Sequence, residues 1–409
     1  MSRSRTVLVA ASAALILGIP TSAAVSSTDQ ASPTWPGHTS TVTTWAASAD
    51  MAGGTLSNVT VRNVVHTSIG GEGLRLRLSN AKGNQPLTLD SVYVGSSAGG
   101  AAVRAGTNRR VTFQGASSVT IPPGAIALSD PLRGRITAQQ DLAVSIHVAG
   151  DSGALTAHNR SMQHSWKSTT GDFAADESAT PFGTESSAWF WLDAILVEAH
   201  HSSGTVATLG DSITAGVGTT INANRRWPDR LADRFAKLPA PFQMGVANEG
   251  ISGNRVLSGV SRPGGAGDAA LTRLTRDILT KPGVETVLLA EGVNDIGAGS
   301  SAADIIAGYR QLIAQAHAQD VCIVAATIMP FGGSVFIDPE GETVRTEVND
   351  FIRHGREFDD VVDFDVATRD PDDPTQLRPA FHNGDGLHPN DAGNAAMAGA
   401  IDLRDLRCR

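Results

Sequence analysis

Four short segments, far apart in the chain, hold residue types that could share one piece of chemistry. They are Gly210-Asp211-Ser212-Ile213, Asn248-Glu249-Gly250-Ile251-Ser252-Gly253-Asn254, Gly292-Val293-Asn294-Asp295 and Asp385-Gly386-Leu387-His388. Ser212 offers a hydroxyl, His388 a base to take its proton, and Asp385 an acid to orient that base. Asn294 and Gly253 do not ionise. Their side-chain amide and backbone N–H, with the N–H of Ser212, would make three donors for a tetrahedral oxyanion. That is the equipment of acyl-ester cleavage.

Each segment alone has a plainer reading. Asp211 and Ser212 both suit a helix cap, and Asn and Gly dominate turns. Asp385 and His388 could be a surface pair or two metal ligands. At i and i+3 in a turn, however, the carboxylate can reach the near ring nitrogen and leave the far one free as the base. No second His/Asp cluster with ligand spacing stands near the other segments, so no metal and no cofactor is expected. Ser212 is not in a Gly-x-Ser-x-Gly elbow, because position 214 is Thr, and no Gly-Lys-Ser/Thr follows to make a phosphate loop.

The elements that must position these residues differ between the two halves of the chain. After residue 203, apolar runs at Thr205–Leu209, Val284–Leu289, Val321–Ala326 and Val361–Phe364 are nearly continuous, as parallel strands buried on both faces should be. Helical stripes lie between them. Ile305, Ile306, Tyr309, Leu312, Ile313 and Ala316 form one, with Ser301 and Asp304 at its start, and Val344, Val348, Phe351 and Ile352 form the next. A three-layer α/β/α domain with a mostly parallel sheet is predicted, with ligands bound beyond the C-terminal strand ends. A serine at such a strand end, with a helix N-terminus beyond it, would sit in a field that favours a developing anion.

Before residue 203 short alternating runs recur between turn-rich gaps. In Leu74-Arg75-Leu76-Arg77-Leu78 the leucines fall on one face and the arginines on the other. An all-β sandwich of jelly-roll type is expected there. Trp189 to Val197 reads as its last strand, with Trp189-Phe190-Trp191 as a core or interdomain contact.

Arg3 and Arg5 followed by the apolar run Thr6–Ile19, Pro20 and Thr21-Ser22-Ala23-Ala24 read as a signal peptide, hence export. The predicted organisation is a signal peptide over 1–24, a flexible leader over 25–36, the β-sandwich over 37–202 and the hydrolytic domain over 203–409. The chain of 409 residues carries a net charge of −9, and losing two arginines with the signal peptide makes it more acidic. An acidic chain without a basic tract argues against nucleic acid as a partner, and no membrane anchor is expected. Cys322, in an apolar run, reads as a small hydrophobe; a bridge to Cys408 is open to it in an oxidising compartment, but no bridge is favoured.

Over residues 203–402 the four segments resemble the conserved blocks of the SGNH, or GDSL-type, hydrolases, with Ile213 where the family name has Leu. The resemblance implies a flavodoxin-like domain with Ser212, Asp385 and His388 as the catalytic set and Ser212, Gly253 and Asn294 as the oxyanion hole. The upstream half is similar to the leading domain of secreted arylesterase-like and acetylxylan-esterase-like members. A secreted serine esterase acting on short acyl esters, including O-acetyl groups of polysaccharides, is therefore expected. A lipid or aryl-ester hydrolase and an acyltransferase are the near alternatives. A carbohydrate-binding surface protein with an inactive hydrolase domain is the distant one.

Overall fold

The computed structural model describes residues 39–51, 53–200, 202–259, 266–334, 336–338 and 340–407. The expected signal peptide and leader lie outside the described residues. No described helix is long and apolar enough to cross a membrane.

The first half is antiparallel and β-rich. One sheet contains β1 (Thr39–Ala46), β3 (Gly71–Ser79) and β6 (Leu192–His200), with β6 between the other two. The other has β5 (Asp141–Asp151) between β2 (Ser57–His66) and β4 (Ser91–Gly99). Leu74, Leu76 and Leu78 enter the shared core with Val61, Val144 and Ile146, as the alternation requires. The arginine face of β3 is not wholly solvated. Arg77 is buried and pairs with Asp193 at 3.0 Å, and its Nη2 donates to Thr280 in the second half. Period-2 patterning tells the two faces apart but not whether water or protein covers the polar one.

Trp189, Phe190 and Trp191 are all buried in this core. The run expected as one strand is split at Trp191, whose φ of 55° breaks the ladder between Ala188–Phe190 and β6. Trp189 stands edge-on to Trp45, and Arg226 of the second half lies over its ring.

The second half carries a five-stranded parallel sheet in the order β8-β7-β9-β10-β11. These are Thr205–Gly210 (β7), Gly245–Gly250 (β8), Val284–Ala290 (β9), Cys322–Ala326 (β10) and Asp360–Val362 (β11). Every residue of β7 is buried, as a central strand between two layers must be. The helices are α1 (Ser212–Ala215), α2 (Trp227–Phe235), α3 (Ala270–Leu274), α4 (Val293–Ile296), α5 (Ala302–His317), α6 (Gly341–His354), α7 (Phe364–Thr368) and α8 (Asp391–Ala400). Ser301 caps α5 by accepting from the Asp304 N–H, as its sequence promises.

Strand β8 carries no continuous apolar run, so pattern alone misses it. It is an edge strand, and the first half covers it: Val246 N–H donates to Ser68 Oγ at 2.8 Å. Nearby, a bulge at Thr43 in β1 lets that residue's backbone exchange two hydrogen bonds with Thr205 Oγ1.

Cys322 corrects an expectation, because it is disulfide-bonded. It is only half-buried, at the start of β10, and the C-terminal tail returns to this end of the sheet. Thr286, its register partner on β9, donates to the Leu406 carbonyl at 2.8 Å. Cys408, the chain's other cysteine, lies outside the described residues.

Candidate active site

The chain order of the sheet strands reverses between β7 and β9, where α/β sheets open a crevice beyond their strand ends. Ser212 follows β7 and Asn294 follows β9, so both stand at that crevice. Gly253 follows β8 in a turn where its φ is +79°, a conformation that strains any residue with a side chain. His388 and Asp385 arrive on the loop before α8.

The serine and histidine meet. Ser212 Oγ lies 2.9 Å from His388 Nε2, and His388 Nδ1 lies 2.7 Å from Asp385 Oδ2. With Asp385 accepting from Nδ1–H, Nε2 is left as the acceptor for the serine proton. Asp385 Oδ1 also accepts the backbone N–H groups of Leu387 and His388, both at 2.9 Å. Burial would raise the Asp385 pKa, but those two N–H groups and the imidazole outweigh it and hold the carboxyl below the usual range. His382 is no base here: its Nδ1 accepts the N–H groups of Gly384 and Gly386 and braces the turn.

Asn294 carries the clearest sign of a missing partner. Its side-chain nitrogen is buried and has no hydrogen-bond partner within the protein. Buried amide donors are nearly always paired, so an unpaired one at a crevice is free for a ligand oxygen. Gly292 makes the turn possible: at φ +126°, a Cβ there would stand 2.7 Å from Tyr309 Oη.

The anion-favouring helix field shrinks to very little. α1 is a single turn, closed by Gly216 in the left-handed conformation, so its dipole is small. Asp211 is the cap, accepting the Ile213 N–H at 2.8 Å, and Ser212 is 5% exposed at the helix start.

Several motif residues turn out to hold the scaffold. Asp295 accepts from Val256 and Leu257 N–H, tying the third segment to the chain beyond the second. Asn248 Nδ2 donates to the Thr214 carbonyl. Asp211 and Glu291 line a cavity of about 20 Å³ beneath α1, room for one water. Burial first, and repulsion from neighbouring carboxylates second, raises the pKa of both acids. Phe336 went unnoticed in the sequence because no motif surrounds it. It is 60% exposed, and its ring stands edge-on to His388 with centroids 5.9 Å apart. Among the described residues, Asp90, His147 and Asp172 are close enough together to share a cation, but they lie in the β-rich half, away from the serine.

A hydroxyl, an imidazole and a carboxylate in hydrogen-bonded series at a sheet crevice define a serine hydrolase. The chain matches the profile of the GDSL-like lipase/acylhydrolase family over residues 208–396, and its α/β half belongs to that family. No curated protein matches. Similar solved structures include the aryl esterase of M. smegmatis, with 18% identity over 50% of this chain and 99% of that one, at a TM-score of 0.40. An acetylxylan esterase from Geobacillus stearothermophilus shares 21% identity over 51% and 96%, at 0.38. A family two carbohydrate esterase from Clostridium thermocellum shares 14% identity over 86% and 91%, at 0.37.

Proposed function

We propose that the chain is an exported, metal-independent serine esterase of short-chain acyl esters, O-acetyl groups on polysaccharides among them. Ser212 attacks the ester carbonyl as His388 takes its proton, and Asp385 stabilises the imidazolium. The Asn294 amide and the N–H groups of Gly253 and Ser212 hold the oxyanion. His388 then protonates the leaving alcohol, and water activated by the same ring releases the acid.

The unpaired Asn294 amide carries this reading, because it is a buried donor with nothing in the protein to bond. The low exposure of Ser212 favours an acyl group as small as acetyl. Phe336 supports a ring-bearing alcohol, aryl or sugar, because His388 protonates the alcohol oxygen and that ring stands beside it.

The test is hydrolysis of p-nitrophenyl acetate by Asn294→Ala, with Ser212→Ala as the control. Losing one oxyanion donor should lower kcat by about 10²–10³-fold, and losing the nucleophile should abolish turnover. Full activity in the serine variant would overturn the mechanism. A maximum at long acyl chains in an ester series would overturn the substrate class, and loss of activity with EDTA would overturn metal independence.

A further inference from the structure

Arg273 is completely buried in α3, and its guanidinium hydrogen-bonds at two of the strand ends that lead to the proposed oxyanion donors and faces the residue after the third. Nη2 donates to the Gly210 carbonyl at 3.1 Å, at the end of β7 and two residues before Ser212. Nη1 donates to the Glu249 carbonyl at 2.8 Å, in β8 and four residues before Gly253. Nε donates to Asn254 Oδ1 at 2.8 Å, the residue after Gly253. Nη2 also faces Glu291 Oε2 at 3.7 Å, just past β9 and three residues before Asn294. The remaining Nη1 bond goes to Ser48 Oγ at 3.0 Å, in the β-rich half.

We propose that Arg273 is the positioning residue of the oxyanion hole, setting the spacing between the donors of Ser212, Gly253 and Asn294. The inference rests on the oxyanion assignment made above. A planar fork with five N–H groups in fixed directions can hold several acceptors in one geometry, which an ammonium cannot do. Electrostatic stabilisation of an oxyanion depends on donors being already in place, so small shifts among the three strand ends tax the transition state more than the ground state. Ser48 extends the clamp. It accepts from Arg273 and donates to Glu249 Oε2 at 2.7 Å, so the β-rich half helps to fix the donors without touching substrate.

An ordinary structural ion pair would lower stability and leave the turnover of the folded protein intact. Arg273→Lys and Ser48→Ala in the full chain separate the two roles. Measured on p-nitrophenyl acetate, Arg273→Lys should lower kcat by about 10²-fold with KM nearly unchanged. Affinity for a small alkylboronic acid, which forms a tetrahedral adduct on the serine, should fall in parallel. Ser48→Ala should show the same split at about five- to tenfold, the worth of one hydrogen bond, and decides the matter if Arg273→Lys does not fold. A lowered Tm with wild-type kcat and boronate affinity in the folded variants would overturn the inference. So would a fall in kcat with unchanged boronate affinity. Ser212→Ala run alongside tells this failure from that of the reading beneath it: if Ser212→Ala is active, the oxyanion assignment itself falls.

Discussion

Asp385 and His388 are joined twice within one turn: the carboxylate accepts from the His388 ring Nδ1–H and from the His388 backbone N–H, and it also accepts the N–H of Leu387 between them. The turn that delivers the base therefore also fixes its tautomer. Because these bonds hold the Asp385 carboxyl below the ordinary range, it stays ionised throughout neutral and mildly acidic buffer. Any fall in activity on acidification within pH 5–9 should therefore owe nothing to Asp385. Asp385→Asn should lower kcat by about 10⁴-fold, since the amide favours the wrong tautomer. Steady-state kinetics across pH 5–9 checks this. A loss below tenfold would assign the orienting role elsewhere.

Phe336 gives a prediction about the alcohol part of the substrate. Phe336→Ala should raise KM for phenyl acetate several-fold, reflecting about 1 kcal/mol of ring contact, and leave methyl acetate unchanged. Arms with phenyl acetate and with an acetylated xylose distinguish an aryl from a sugar alcohol. Equal effects on methyl and ring esters would show that the ring only packs the loop.

The residues that the structure brings together, Ser212, His388 and Asp385, are legible because their segments are local and announce themselves within a few residues. The parallel strands β7, β9 and β10 were legible for a similar reason, being long apolar runs. What the sequence hid is what depends on distant partners. Strand β8 is polar and finds its cover in Ser68, and Arg77 looks solvent-facing until Asp193 and Thr280 are placed beside it. Arg273 sits in no motif, and only the fold shows that it bonds carbonyls of β7 and β8 and the Asn254 side chain while facing Glu291 beyond β9. The Cys322 bridge is hidden because an apolar neighbourhood says nothing about which end of a strand is covered.

Asp211 should leave a mark on stability. Burial raises its pKa from 3.8 to about 7, so between those values the folded chain holds a proton that the unfolded chain has lost. For this group stability is therefore full below pH 3.8 and falls as pH rises towards 7. Asp211→Asn keeps an oxygen to accept the Ile213 N–H and removes the titration. Urea unfolding at several pH values should show a flatter decline between pH 4 and 7 than in the wild type. An unchanged slope would place the titration on other acids.

The α/β half alone should not make a working enzyme. Lys281 is completely buried between Asp193 of the first half, at 3.2 Å, and Glu249 of the second, at 2.9 Å. Truncation to residues 203–409 removes Asp193 and leaves the Lys281–Glu249 pair short of a negative partner. Breaking such a buried arrangement costs about 3–5 kcal/mol. The same cut takes Ser48 from Arg273, Ser68 from Val246 and Trp189 from Arg226, and it bares the edge strand β8. The fragment should aggregate, or fold with a markedly lower Tm and a kcat reduced more than tenfold on p-nitrophenyl acetate. Soluble expression with unchanged kcat and KM would instead make the β-rich half an accessory module, because the hydrogen bonds it sends across would then be dispensable for the geometry of the site.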